Sequence, residues 1–285
     1  SGDDFAGSYS GVFANGNVGT GKTVNITSSY SGADVSNYSV TDQSSTTANI
    51  TAKSLTVSGI TASDKTYDGS VTATMDGTAA VYSGLVSGDT FDGTYTGAFS
   101  NANVGSGKTV TITSSYSGAD VNNYTVTNQS STTADISAKA LTATASTANK
   151  TYDGGTTATT TLTFTGLVGS ETLGQTVGST FDNKNVGSNK TVTVNSITLA
   201  DGSNGGLAAN YSISAGQTTT AHISPKSLTV SGITASNKIY DGNTVATLDP
   251  IGVTYSGIVS GDSFAGSFSG SFSDKNIGTG KTVTI

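Results

Sequence analysis

One octapeptide in this 285-residue chain has the spacing of a phosphate-binding loop. Gly16-Asn17-Val18-Gly19-Thr20-Gly21-Lys22-Thr23 matches the Walker A pattern in full. A P-loop needs that glycine-rich turn to open a helix, whose free N–H groups hold phosphate. The residues that follow, Val24-Asn25-Ile26-Thr27, are strand formers instead. Gly16 is replaced by Ala102 in the next copy of the segment and by Lys275 in the last, so a hairpin turn is expected here. His222 is the only histidine, and its equivalents in the other copies are Asn49 and Asp135. With no cysteine and no second histidine, neither a catalytic triad nor a zinc site can be assembled from this chain. His222 is expected to be a surface residue.

Three further constellations have chemistry to offer. Tyr67-Asp68-Gly69 recurs as Tyr152-Asp153-Gly154 and Tyr240-Asp241-Gly242. Asp-Gly favours a tight hairpin turn with positive φ at glycine, beside which the tyrosine packs, and this structural role is expected. The alternative is Ca²⁺ held by carboxylates and loop carbonyls, with Asp68, Asp89, Asp92 and Asp120 as candidate ligands. No EF-hand or glycine-rich nonapeptide pattern accompanies them, and no other cofactor is implied. Lys65, Lys150 and Lys238 stand two residues before each Tyr-Asp-Gly. A Lys65–Asn123 isopeptide bond is one reading of them; an exposed, solvated lysine is the expected one. Glycosidase-type aspartate pairs find no support, because every aspartate reads as a turn residue and nothing marks a deep apolar pocket. Asn-x-Ser/Thr sequons, such as Asn37-Tyr38-Ser39, follow from the abundance of Ser and Thr. No catalytic residue is assigned, and the chain is not expected to be an enzyme.

The elements that must carry these residues are strands and turns. All twelve basic residues are Lys, and of nineteen acidic residues only Glu171 is Glu. Aspartate favours turns, whereas the missing Glu and Arg favour helix interiors. The net charge of −7 is spread along the chain, without Arg or a basic patch, which argues against nucleic acid as a partner. No apolar run is long enough to span a membrane as a helix, so membrane insertion is not expected of this stretch. No signal peptide opens the chain, which begins inside a repeat; a longer parent is expected.

The organisation is repetitive. Asn-Val/Ile-Gly recurs at Asn17, Asn103, Asn185 and Asn276; Asn-Tyr at Asn37, Asn123 and Asn210; Lys-x-Leu-Thr at Lys53, Lys139 and Lys226. Together with Tyr-Asp-Gly they share one order and a period of about 86 residues, the size of a small domain. Complete repeats are expected at 53–138 and 139–225, with the second part of one at 1–52 and the first part of another at 226–285. Extra residues in the third copy fall in Asp201-Gly202-Ser203-Asn204-Gly205-Gly206, a loop composition.

Within a repeat, Phe91, Gly93, Tyr95, Gly97 and Phe99 alternate with Asp92, Thr94, Thr96 and Ala98, a strand period with rings on one face. The rings are expected to lie over the glycines between them, or over cross-strand glycines. The third copy replaces those glycines by Gln175 and Ser179. Further strands are expected at 108–113, 124–127, 71–75, and at 134–136 running into 141–145, with one helical turn at 119–122. The fold class is therefore all-β: tandem small β-sandwich or β-grasp-like modules forming an elongated rod.

The ordered set Lys-x-Tyr-Asp-Gly, Asn-Val-Gly-x-Gly-Lys-Thr-Val, Ser-Gly-Ala-Asp-x-x-Asn-Tyr and Lys-x-Leu-Thr resembles the YDG/MBG-type repeats of large bacterial surface adhesins, including proteins similar to filamentous haemagglutinin. The resemblance spans essentially the whole chain. It implies an extracellular or bacterial cell-surface location and a stalk that projects a binding tip, in adhesion or biofilm formation. Neighbouring repeats of the same chain are the first expected partners. Two alternatives stand beside the stalk. One is a repetitive binding module for host or matrix glycans or proteins, multiplied by avidity. The other is a self-associating extracellular matrix filament.

Overall fold

The computed structural model describes residues 2–285 and divides into two compact units, Ser1–Lys139 and Ala140–Ile285. It is all-β. Among the described residues the only helical pieces are three 3-10 turns, Val35–Asn37, Val121–Asn123 and Ala208–Asn210. The first two end on an Asn-Tyr step and lie within two residues of the expected helical turn.

In the first unit, 53–138 builds two layers. A five-stranded sheet runs in the order Lys65–Thr66, Ser131–Ser137, Gly105–Ser117, Asp92–Phe99, Thr72–Ala73. A three-stranded sheet runs Tyr124–Thr127, Lys53–Ser58, Val81–Ser83, and a short pair joins Thr61–Ala62 to Met75–Asp76. Asp92–Phe99 alternates exposed and half-buried residues as its sequence requires. Leu55, Val57, Ile60, Phe91, Ile112 and Tyr124 form the core between the layers, with Met75, Tyr82, Tyr95 and Tyr116 packed on it. Each fully buried aliphatic side chain of this kind contributes about 1.5–3 kcal/mol. Residues 1–52 supply a three-stranded antiparallel sheet, Ala6–Phe13, Gly19–Ser31 and Ser45–Ile50.

In the second unit the equivalent sheet runs Lys150–Thr151, Thr218–Ser224, Gly187–Asp201, Leu173–Phe181. Its core is Phe181, Val192, Ala158, Ala221 and Ile223, with Tyr152 against it. Residues 226–285 repeat the pairings of the first part of a repeat, including Thr229–Ser231 with Thr254–Ser256 and Gly270–Phe272 with Val283–Thr284.

Rings do lie over glycines: a Cβ on Gly93 would overlap the Tyr95 hydroxyl, and Gly266 faces the Phe268 ring. Gly97 departs from the expectation. It is covered by the Met75 sulfur and by Val110, an aliphatic lid rather than an aromatic one. The strand expected to run from 134–136 into 141–145 is broken instead into Ser131–Ser137, Lys139–Ala140 and Thr142–Thr147.

Candidate functional site

The Tyr-Asp-Gly turn is not a hairpin. The strands flanking it, Lys65–Thr66 and Thr72–Ala73, are the two opposite edges of the five-stranded sheet. The sheet curls until those edges face each other, and Lys65 bridges them. Its Nζ donates to Asp68 Oδ1 (2.7 Å), Ser70 O (2.8 Å), Ser70 Oγ (3.0 Å) and Thr72 O (3.2 Å). It also lies 5.5 Å from the centroid of the Phe99 ring, a cation–π distance. Edge carbonyls that would otherwise need water or another strand are satisfied by an ammonium from within the module.

The arrangement recurs. Lys150 Nζ donates to Asp153 Oδ1 (2.7 Å), Gly155 O (2.8 Å) and Thr157 O (3.1 Å), over Phe181. Lys238 Nζ donates to Asn243 O (2.9 Å) and Val245 O (3.0 Å), pairs with Asp241 (2.8 Å) and sits over Phe272. The expectation of a solvated lysine is therefore corrected: the Lys65 side chain is 17% exposed and fully engaged. The lysine hydrogen bond is the main cause holding the Asp68, Asp153 and Asp241 carboxyls below the usual aspartate range. Gly69, Gly154 and Gly242 take φ of +78°, +80° and +82°, as an Asp-Gly turn requires. The tyrosines differ: Tyr67 is buried, Tyr152 donates its hydroxyl to Asp262 Oδ2 (2.6 Å), and Tyr240 is exposed.

The four candidate calcium ligands are not gathered. Asp68 belongs to Lys65. Asp89 accepts the Tyr124 hydroxyl (2.5 Å), and Asp120 accepts Thr90 N–H (2.9 Å) and Thr90 Oγ1–H (3.2 Å). Asp92 opens a strand, paired with Ser117. Among the described residues no group of three or more His, Asp or Glu side chains converges as a metal site. The Lys65–Asn123 pair is not brought together either, since Asn123 Oδ1 accepts Val18 N–H (2.9 Å).

The Walker-like octapeptide enters the strand Gly19–Ser31 through a bulge between Gly19 and Lys22. Lys22 Nζ folds back onto Asn15 Oδ1 and Asn17 O, and Gly21 N–H donates to Asn49 Oδ1 (2.8 Å). The Lys22 ammonium is spent inside the turn, and the Gly21 and Val18 N–H groups are taken by Asn49 and Asn123. The residue before the lysine has positive φ in all four copies: Gly21 +61°, Gly107 +59°, Asn189 +53° and Gly280 +62°. Asn189 thus keeps the left-handed backbone, which asparagine tolerates better than most residues. His222 is exposed; its backbone N–H donates to Asn149 Oδ1 (2.8 Å), as Asp135 N–H does to Asp64 Oδ1 (2.7 Å).

One element was not anticipated. Gln129 grips the backbone of Ile60, accepting its N–H (2.9 Å) and donating to its carbonyl (2.7 Å). Glutamine recurs at 43, 129 and 217, nearly one period apart, and that was the signal available in the sequence.

The YDG domain model matches residues 51–134, 137–221 and 224–285. The chain belongs to the YDG domain family. Its three matched stretches are tandem YDG domains, and the Lys–Asp bridge sits at the tripeptide that names them. No curated protein and no solved structure matches the chain.

Proposed function

We propose that this array of YDG domains is the structural stalk of a secreted or cell-surface bacterial adhesin, an extender without catalysis that holds a binding tip away from the cell. The observation that carries this is the use made of the charged motif residues. The lysine and aspartate that could have done chemistry pair with each other in 53–138, 139–225 and 226–285 alike, and in 53–138 they close the module's own sheet. A module whose sheet edges are occupied from within resists edge-to-edge pairing and proteolysis, which suits an exposed spacer. The acidic, cysteine-free composition agrees with an extracellular chain that folds without disulfides.

Small-angle X-ray scattering with and without EDTA tests the proposal. The expected result is a long, thin particle unchanged by EDTA. A compact particle overturns the stalk, and a particle that loosens in EDTA replaces the metal-free array by one held by Ca²⁺. Millimolar binding of the chain on a glycan array, with a footprint recurring on every repeat, would turn the assignment to a repetitive binding module.

A further inference from the structure

The lysine and aspartate account for sheet closure, but not for the tyrosine and glycine of the same motif. In the second unit both meet 226–285: the Tyr152 ring packs on the core of 139–225 and its hydroxyl reaches across. Tyr152 Oη donates to Asp262 Oδ2 at 2.6 Å, and Lys184 Nζ reaches Asp262 Oδ1 at 3.4 Å, so both carboxylate oxygens are engaged from the preceding repeat. Beside them Gly154 lies against Val259; a Cβ there would stand 2.7 Å from Val259 Cγ1. Asp262 belongs to Ser260-Gly261-Asp262 and Lys184 to the Asn-Val-Gly loop.

In the first unit the Asn-Val-Gly loop of the preceding repeat is again in contact with the repeat that follows, here with its Asn-Tyr turn. Asn123 of 53–138 accepts Val18 N–H (2.9 Å) and donates to Asn17 Oδ1 (3.4 Å), again in the Asn-Val-Gly loop of the preceding repeat. The next residue, Tyr124, turns inward, donating to Asp89 (2.5 Å) and accepting Val86 N–H (2.9 Å). The Asn-Tyr turn and the Ser-Gly-Asp loop are thereby one surface at the head of a repeat. The Tyr-Asp-Gly and Asn-Val-Gly loops, which meet at Asp262, are one surface at the tail.

We infer that Tyr152-Asp153-Gly154 is the joint between 139–225 and 226–285: its tyrosine and glycine form a socket for the Ser-Gly-Asp loop of the repeat that follows. The partner is a second domain of this type carrying a carboxylate at the position of Asp262 and a small branched side chain at that of Val259. Charge-assisted bonds are short and directional, so a phenol and an ammonium on one carboxylate set an angle as well as an affinity. This deepens the stalk proposal and rests on it for its purpose, although the joint itself can fail independently.

The test uses the whole chain, which has no native cysteine. Spin labels at the exposed positions Thr163 and Ser271, introduced as Thr163→Cys and Ser271→Cys, report the distance distribution between 139–225 and 226–285. The expected distribution is narrow. Tyr152→Phe keeps the ring in its core and removes only the hydroxyl; Asp262→Ala removes the acceptor. Each is expected to broaden the distribution at least twofold, and the pair to broaden it no further than Asp262→Ala alone. Tyr240→Phe, at a site 59% exposed, is expected to leave it unchanged. A broad distribution in the parent chain, or a narrow one in both variants, overturns the joint whatever the scattering shows. A compact particle with an intact joint overturns only the stalk.

Discussion

The repeats 53–138 and 139–225 reach one fold through two different interiors. In 53–138, Gly59 (φ +82°) kinks the first strand, and its partner strand carries the extra turn Asp76-Gly77-Thr78. The pairing is split into Lys53–Ser58 with Val81–Ser83 and Thr61–Ala62 with Met75–Asp76. In 139–225 both insertions are missing, and Thr142–Thr147 pairs without a break with Thr160–Thr165. The kink leaves Ile60 without strand partners, and Gln129 supplies them. Without the kink the same service goes to Leu162, and Gln175 provides it from another strand, accepting at 3.1 Å and donating at 2.7 Å. Gln217, the positional equivalent of Gln129, is left with a buried Oε1 that has no partner.

The cover of the central strand changes in step. Met75 fills the space over Gly97, and Leu248 does so over Gly270, at 2.8 Å from where a Cβ would stand. In 139–225 the corresponding residues are Thr160 and Ser179, a buried hydroxyl pair at 2.8 Å extended to Thr147 (2.6 Å) and Ala158 O (3.0 Å). Large-over-glycine and hydroxyl-on-hydroxyl fill one volume in two ways. The lesson is that residues in contact within a repeat change together and the local pairing changes with them: 173–181 carries a bulge at Gly178/Ser179 that 92–99 lacks.

The comparison can be broken where it is most rigid. Gly59→Ala forces a side chain into positive φ and onto the Ala79 carbonyl, and is expected to cost about 3 kcal/mol. Calorimetry should show the loss, with hydrogen exchange confining it to 53–138. Next in size, Gly97→Ser alone overpacks against Met75 and is expected to cost about 2 kcal/mol. Adding Met75→Thr, which copies the other repeat, should recover at least half of it in a double-mutant cycle. Additive losses would show that the two interiors are not interchangeable solutions.

The glutamines sharpen the contrast in magnitude. Gln129→Leu and Gln175→Leu each strand a backbone N–H and carbonyl, at about 1–3 kcal/mol, with faster amide exchange at Ile60 and Leu162 respectively. Gln217→Leu removes an unpartnered oxygen together with an exposed Nε2 bond to Ser214 O (2.8 Å), and is expected to cost less than either, under about 1 kcal/mol. The smallest effect is on pH dependence. The lysine-bound carboxyls of Asp68 and Asp153 titrate below their unfolded values, so their stabilisation is full at neutral pH and is lost as pH falls through the depressed folded values. Asp68→Asn and Asp153→Asn should each flatten the acid limb of a melting-temperature profile and leave its alkaline limb alone. A flattening by only one of them would separate the two bridges.

Much of the strand content could be read directly. The period-2 run of 91–99 and the segment Tyr124–Thr127 stand where alternation placed them, and the 201–206 insertion is a loop closed by Gly202 N–H on Gly206 O (2.9 Å). The site was less legible. Lys65 looked solvated because its acceptors are backbone carbonyls, which every sequence has and none advertises. Asp-Gly looked like a hairpin because local turn chemistry reports φ and not which strands lie alongside. Ca²⁺ ligation stayed open as the alternative for the aspartates because composition cannot say that Tyr124, Thr90 and Lys65 already occupy them.

From the sequence alone followed the period, the all-β class, the position of the turns and the family. Each is a local property, set by side-chain alternation, by glycine and aspartate at positive-φ or capping positions, and by motif order. The tertiary structure alone decided that Lys65–Thr66 and Thr72–Ala73 are opposite edges of one curled sheet, that a lysine spans them, and that Tyr152, its ring on its own repeat's core, sends its hydroxyl to Asp262. Those depend on how far a sheet curls before its edges meet. That is fixed by the summed twist and packing of strands distant in the chain, which no local pattern contains.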